Sequence, residues 1–418
     1  STSIRNTNPK IVIVWGGVHP TLFPDTIVRS GYADVAVVGD GEIPAFEISK
    51  RLLNGLRDFE DIAQVTYMDS NGRISHVPQK EFIDINLMPG LDYSLIDPDK
   101  YLYRDISQFC AGASKAKVWV LNTGRGCPFK CTFCINQHSS QKWRFINAEQ
   151  LVNAIQNVVD KFNPDFIHFQ DDLFFCNKER IHAFIKEYDK RGWRFKFFTL
   201  TFANYFSDTY INQKMIAWLV GKAVWLGMGV ESGSEKIRRQ LNKHIRDNKI
   251  IEIVTSLKEV DIKLELAFMT GIPIETRRDR FETIMFINLL RKANNNCSFG
   301  LQAWRPYPGS ELYEIAKVRG FQEPKNIDEW IKAIAKGRGY YDPRLLPWND
   351  KNEIFFYVTF VCAITTQNKS ILHKLIYLAM YPFYKLRVLT NNKLPFIEGY
   401  PVRALIPVMK LLGIISKV

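Results

Sequence analysis

KVWVLNTGRGCPFKCTFC, residues 117–134, is an apolar run that breaks at a glycine turn and leads straight into three cysteines, Cys127, Cys131 and Cys134. The apolar part, 118–122, reads as a strand buried on both faces, as in a parallel sheet. A regular alternation follows it. Further strands are expected at 166–169, 195–200, 224–227, 263–269 and 298–303, with helices between them at 148–162, 178–190, 208–220, 249–260 and 278–292. Six strand–helix units in about 200 residues predict an α/β fold, a partial (β/α)6 barrel of the TIM type over 115–320. In that architecture the chemistry sits at the C-terminal ends of the strands, and the cysteines fall at the end of the first.

The N-terminal 60 residues carry two more apolar runs, KIVIVW at 10–15 and ADVAVV at 33–38. Each ends in a glycine turn, Gly16-Gly17 and Gly39-Asp40-Gly41-Glu42, and helices are expected at 24–30 and 45–53. Two parallel strands alone cannot bury both faces, so 1–60 reads as a truncated doubly wound (Rossmann-like) domain whose earlier strands precede this sequence. Residues 61–114 read as a connector with a hairpin around Asn71-Gly72. From 321 to 418 the pattern becomes helical and aromatic, a C-terminal cap. Within it, 369–389 mixes an apolar face with Lys and Arg, which suits a capping helix or one lying on a membrane surface.

The 418 residues are enough for two or three domains of roughly 100–200 residues each. A net charge of +13 favours anionic partners. No run of five like charges and no aromatic-plus-basic RNA signature accompanies it, which speaks against nucleic acid. No apolar run reaches the roughly 18 residues that a membrane span needs. Seven cysteines, odd in number and unevenly spread, argue against a disulfide framework and for a reducing, cytoplasmic setting.

In such a setting three cysteines in one short run point to metal. Thiolates are the ligands that hold iron–sulfur clusters, and a complete protein set is four. The C-x3-C-x2-C run offers three, and Cys110, Cys176 and Cys297 lie at no partnering spacing. A cluster on three cysteines leaves one iron open to an outside ligand, which suits catalysis rather than electron carriage alone. The alternatives are a zinc site completed by His138, or free buried cysteines.

With Phe133 just before the third cysteine, the spacing resembles the signature of the radical S-adenosylmethionine (SAM) superfamily. The resemblance implies a [4Fe–4S] cluster on Cys127, Cys131 and Cys134, with SAM chelating the open iron. One electron then cleaves the sulfonium, and the resulting 5′-deoxyadenosyl radical abstracts a hydrogen atom. Further segments match in order round the barrel. Gln170-Asp171-Asp172 ends the second strand, where many members carry Gly-Gly-Glu against the SAM amino group. Gly227-Met-Gly229-Val-Glu231-Ser232-Gly233 ends the fourth, with Glu231 or Ser232 toward the ribose or methionyl group. Met269-Thr-Gly271-Ile-Pro273 resembles the adenine-contacting segment, and Arg305-Pro-Tyr307-Pro308-Gly309-Ser310 the turn after the sixth strand.

Gly16, Gly17, Gly39 and Gly41 are similar to strand ends of the cobalamin-binding domain that precedes the barrel in a large subfamily, which includes methyltransferases and the anaerobic magnesium-protoporphyrin ester cyclase. That implies cobalamin as a further cofactor. His19 lacks an Asp-x-His-x-x-Gly context and reads as a turn histidine, not a cobalt ligand. The implied activity is methylation of an unactivated carbon, with radical cyclisation or rearrangement as runner-up. The implied partners are a small-molecule or lipid-like substrate and a reductant such as flavodoxin or ferredoxin. A non-catalytic iron–sulfur or zinc protein is the reading from another class. His168 and the phenylalanines of 195–206 read as packing residues, and the pair Trp143-Arg144 reads either as a cover for the site or as a packing pair.

Overall fold

The computed structural model describes residues 1–78, 81–106, 115–137, 142–336, 346–365 and 371–390. His138 and Cys110 lie outside the described residues, as does the C-terminal region beyond 390.

The chain opens with α1 (Thr2–Thr7), β1 (Val14–Trp15), α2 (Val18–Leu22), α3 (Pro24–Arg29), β2 (Val35–Val37), α4 (Glu42–Leu53), β3 (Val65–Met68) and β4 (Ile74–Val77). Their strands form one sheet in the order β1-β2-β3-β4. β1 and β2 run parallel, as expected, but β2 pairs antiparallel with β3. The hairpin read as part of the connector therefore belongs to this sheet and makes it mixed. Its turn falls at Asn71-Gly72, where Gly72 takes φ +72° and the Asp69 carboxylate accepts from the Asn71 amide. β1 is shorter than the run at 10–15, because it pairs on one side only, with a partner three residues long.

A connector with α5 (Asp99–Leu102) and β5 (Tyr103–Arg104) leads to β6 (Ala116–Leu121). Then come the paired two-residue strands β7 (Gly124–Arg125) and β8 (Arg144–Phe145), α6 (Ala148–Phe162), β9 (Phe166–Phe169), α7 (Lys178–Arg191) and β10 (Lys196–Thr201). The barrel continues through α8 (Gln213–Leu219), β11 (Ala223–Glu231), α9 (Glu235–Gln240), α10 (Asp247–Ser256), β12 (Lys263–Thr270), α11 (Arg277–Ala293) and β13 (Ser298–Ala303). After it lie α12 (Glu311–Val318), α13 (Ile327–Lys336), α14 (Lys351–Thr365) and α15 (Ile371–Leu389).

β6, β9, β10, β11, β12 and β13 lie side by side in chain order, all parallel, with β5 antiparallel at the β6 edge. This curled sheet is the partial barrel. The helices are set by local signals. In α6 the residues Leu151, Val152, Ile155 and Val158 form one buried stripe, Asn147 caps the start through the Gln150 amide at 2.9 Å, and Asn163 ends the helix in a left-handed conformation. α8 starts five residues later than its apolar pattern suggests, because Asn212 caps it through the Met215 amide and holds 208–212 in a turn. Phe195, Phe197, Phe198, Phe202 and Phe206 are buried, as expected of barrel core. His168 stacks on Phe198 at 4.5 Å.

Beyond the barrel, α14 packs along β13, burying Ile354, Phe356, Tyr357 and Phe360, and Tyr384 of α15 stacks on Phe360 at 4.8 Å. Among the described residues no helix is long and apolar enough to cross a membrane.

Candidate active site

The three cysteines lie on the long loop that leaves β7 and returns at β8. Its aromatic residues are anchors: Phe129 rests on Phe202 at 4.3 Å, and Phe133 packs against the apolar cluster that includes Trp304 and Leu312. Its backbone is sutured at the middle. The Thr132 amide donates to the Leu241 carbonyl at 3.2 Å, and the Thr132 carbonyl accepts from the Leu312 amide at 2.8 Å. The Arg305–Ser310 turn serves the same end, since Ser310 caps α12 and so aims the Leu312 amide at the loop. Within the run, the Cys134 amide donates to the Cys131 carbonyl at 3.0 Å, and the Cys134 sulfur accepts from the Asn136 amide at 3.4 Å.

All three thiols are free and half-buried, and burial is the largest influence on each, pushing Cys127 up to about 11 and raising Cys131 and Cys134. Nearby charges overlap from one thiol to the next. Asp172 raises Cys127 and Cys134, Glu231 raises Cys131 and Cys134, and the Lys243 ammonium opposes both rises at Cys131 and Cys134. Among the described residues, no three His, Cys, Asp or Glu side chains gather as they would round one metal ion. A four-iron cluster asks for a wider spread, because each thiolate binds a different iron.

The paired aspartates at the end of β9 have different tasks. Asp171 is buried, and its carboxylate accepts from the Thr123 amide and hydroxyl, both at 2.5 Å, from the Gly124 amide at 3.0 Å and from Arg180 at 3.1 Å. Four donors fill a carboxylate's acceptor sites, so Asp171 ties the start of the cysteine loop to the barrel. Asp172 is accessible to solvent on one side and crowded on the others, and burial, ahead of the neighbouring Asp171 charge, raises its pKa. It accepts from Asn136, just past the third cysteine, at 3.1 Å.

The fourth strand runs further than its glycines suggest, through to Glu231. In its pairing with β12, Gly229 faces Ala267 and Glu231 faces Phe268, so Val230 is the extra residue of a β-bulge. Glu231 takes φ +72°, a costly backbone for a residue with a side chain, and its carboxylate meets the Lys243 ammonium at 2.6 Å. Gly229 makes room for that pair, since a methyl group there would lie 2.1 Å from the Glu231 carboxylate and 2.8 Å from Lys243. Gly227 makes room instead for Trp225 and Leu200. Ser232 is fully buried, with its hydroxyl 3.2 Å from that of Thr283 on α11, and so serves the packing of the turn.

At the end of β12, Gly271 has φ +79°, its amide donates to Glu275 at 2.7 Å, and its carbonyl accepts from Trp348 at 3.0 Å and Asn349 at 2.9 Å. Pro273 is buried beside it. Lys243, Arg180 and Glu275 were not foreseen in the sequence. Lys243 stands in the polar turn Asn242-Lys243-His244, which carries no chemical signature.

The sequence model described as the radical SAM superfamily matches residues 121–287, the stretch from β6 into α11. The chain carries a radical SAM domain. Two relatives extend the likeness beyond that domain. An uncharacterized methyltransferase of Pyrococcus horikoshii is 27% identical over 75% of this chain. The anaerobic magnesium-protoporphyrin IX monomethyl ester cyclase of Rubrivivax gelatinosus is 22% identical over 80% of it. The chain spans 64% and 59% of their respective lengths. In fold, this chain is similar to the cobalamin-dependent SAM radical enzyme OxsB, with a TM-score of 0.64 and 16% identity over 99% of this chain and 64% of that one.

Proposed function

We propose that this chain holds a [4Fe–4S] cluster on the thiolates of Cys127, Cys131 and Cys134, binds SAM beside it, and methylates an unactivated carbon of a small-molecule or lipid-like substrate with the help of cobalamin. The observation that carries the proposal is that the loop of three thiols is bordered by Asp172, which holds Asn136 at 3.1 Å, and by the Glu231–Lys243 pair, whose ammonium lies 6.0 Å from the Phe133 ring. The donor set suits the cluster: three free thiols on one short loop are soft sulfur ligands of the kind that hold iron–sulfur clusters. The charges suit SAM, which carries a sulfonium, an ammonium and a carboxylate. Asp172, exposed to solvent, answers the cationic groups, while Glu231 and Lys243, already paired with each other at 2.6 Å, fix the wall beside it. When bound, cluster and SAM supply a one-electron route to hydrogen-atom abstraction. Gly271 and Pro273 border the same end of the barrel and would line the adenine. Asp171, Gly227, Gly229 and Ser232 support the site by holding the loop, the bulge and the turn.

The N-terminal turns suit cobalamin as well. Nothing lies within 4 Å of where a side chain would start at Gly17 or Gly41. Nearby, the His19 Nε2 and Trp330 Nε1 atoms are buried without a hydrogen-bond partner, and the two rings stand 5.8 Å apart. Open backbone and unanswered polar atoms fit a bulky ligand rimmed with amides, and Gly16 and Gly39 shape the same two turns. The magnesium-protoporphyrin cyclase relative supports radical cyclisation as the second reading.

Anaerobic reconstitution with iron and sulfide, then assay of 5′-deoxyadenosine from SAM under a reductant, tests the core of the proposal. The wild-type chain is expected to form it and Cys131→Ala to form none. A loaded cluster that never cleaves SAM would refute the catalytic reading, and a chain that takes up no iron would refute the cluster itself. Added hydroxocobalamin, followed by its absorption spectrum on the protein, tests the third cofactor. A lipid-like substrate met at a membrane is tested by co-sedimentation with anionic liposomes, and no loss on deleting 369–389 would exclude that role for the helix.

A further inference from the structure

The loop that bears the cysteines is closed at its neck by β7 and β8, where Arg125 pairs across the ladder with Arg144. Both arginines reach out of the barrel to one residue of the N-terminal sheet domain. The Asp40 carboxylate accepts from Arg125 at 2.9 Å on one oxygen and from Arg144 at 2.6 Å on the other. Arg125 also holds Glu42, and Arg144 also donates to the Ile83 carbonyl at 3.0 Å. Arg144 and Asp40 are largely out of water, with 13% and 15% of their side chains exposed. An ion pair so placed, with both acceptor oxygens used and both guanidinium groups held elsewhere, has defined geometry rather than the loose character of a surface pair.

Asp40 is itself positioned. It sits between Gly39, at φ +79°, and Gly41, and the Gly39 amide donates to the Thr21 hydroxyl at 2.9 Å. That hydroxyl donates in turn to the Gly17 carbonyl at 2.7 Å. The two glycine turns of the N-terminal domain are thus linked to each other, and through Asp40 to both ends of the cysteine loop. Arg125 is two positions before Cys127, so a shift of this turn moves the first cysteine with little slack.

We propose that Asp40 is a positioning residue for the cysteine loop, setting from the N-terminal domain where the three thiols stand relative to the barrel. The spectroscopic arm of the test rests on the cluster reading above, and the exchange arm does not. In the full-length, metal-free chain, hydrogen–deuterium exchange of the amides at 124–126 and 142–145 is expected to quicken by about tenfold or more in Asp40→Ala, while β10 to β12 keep their protection. Asp40→Glu is expected to restore most of it. In reconstituted protein, Asp40→Ala is expected to lose iron faster to a chelator and to broaden the electron paramagnetic resonance signal of the reduced cluster. Neck amides that exchange as in the wild type would overturn the proposal, whatever the cluster does. If Asp40→Ala does not fold, Asp40→Asn, which keeps the shape and removes the charge, decides by the same exchange measurement. A wild-type chain that takes up no iron would defeat the cluster reading and leave the exchange result to judge Asp40 alone.

Discussion

Lys243 and Glu231 stand 2.6 Å apart with 8% and 11% of their side chains exposed, so each charge has little but the other to replace water. Removing one partner leaves a buried ion uncompensated. Lys243→Met is therefore expected to lower the free energy of unfolding by about 3–5 kcal/mol, read from chemical denaturation, and adding Glu231→Gln should recover part of the loss. An additive double variant would mean that the pair is not coupled. This pair also shows what can and cannot be read at the residue scale. The cysteine run was legible because its chemistry lies in residue type and close spacing. The partner of Glu231 was not, because it is twelve positions away and the contact depends on the bulge at Val230 and the left-handed backbone of Glu231. The aspartate pair was legible as a pair, but its division of labour was not. Only the fold brings Arg180 and the Thr123 amide onto Asp171 and leaves Asp172 to Asn136, two positions past the third cysteine.

At the scale of elements, the turn after β11 lies tight against α11. A methyl group on Gly233 would lie 2.5 Å from the Thr283 Cα and 2.9 Å from the Glu282 carbonyl, both helix backbone that cannot swing aside. Gly233→Ala should push α11 away, with a loss of about 1–3 kcal/mol in stability and weaker SAM binding by equilibrium titration. A variant as stable as the wild type would show that the helix has room to move. α11 is also fixed at its start by a capping box between Thr276 and Asp279, and Thr276→Ala is expected to cost about 1 kcal/mol in thermal or chemical unfolding. α6, capped at Asn147 and ended at Asn163, stands where the sequence puts it, whereas the Asn212 cap moves the start of α8. β11 outruns its expected end because the glycines that read as a turn lie inside the strand, clearing space for Trp225 and for the Glu231–Lys243 pair.

Across the whole molecule, the mixed N-terminal sheet and its bond to the cysteine loop depend on contacts far apart in sequence, which no local pattern announces. One such long-range network carries a pH dependence. Glu275 is buried under the Gly271 turn, and burial, against the pull of Arg280 and of the Gly271 and Ile272 amides, pushes its pKa from the ordinary 4.5 up to about 8. Between those values the unfolded chain has lost the proton that the folded chain keeps, so this group makes stability fall as pH rises through the window. The melting temperature of Glu275→Gln minus that of the wild type should therefore grow more positive from pH 5 to pH 8.5 in a thermal-shift series, and a flat difference would refute the assignment. A last consequence follows from the strand order. Each barrel strand after β6 pairs with the one made just before it, so the sheet can assemble while the chain leaves the ribosome. Among the described residues β13 has a ladder partner on one side only, and α14 packs along it. Until that helix has been synthesised, the newest strand offers an open edge to other nascent chains. Messages cut short between 304 and 350 should therefore yield aggregates rather than a smaller soluble barrel.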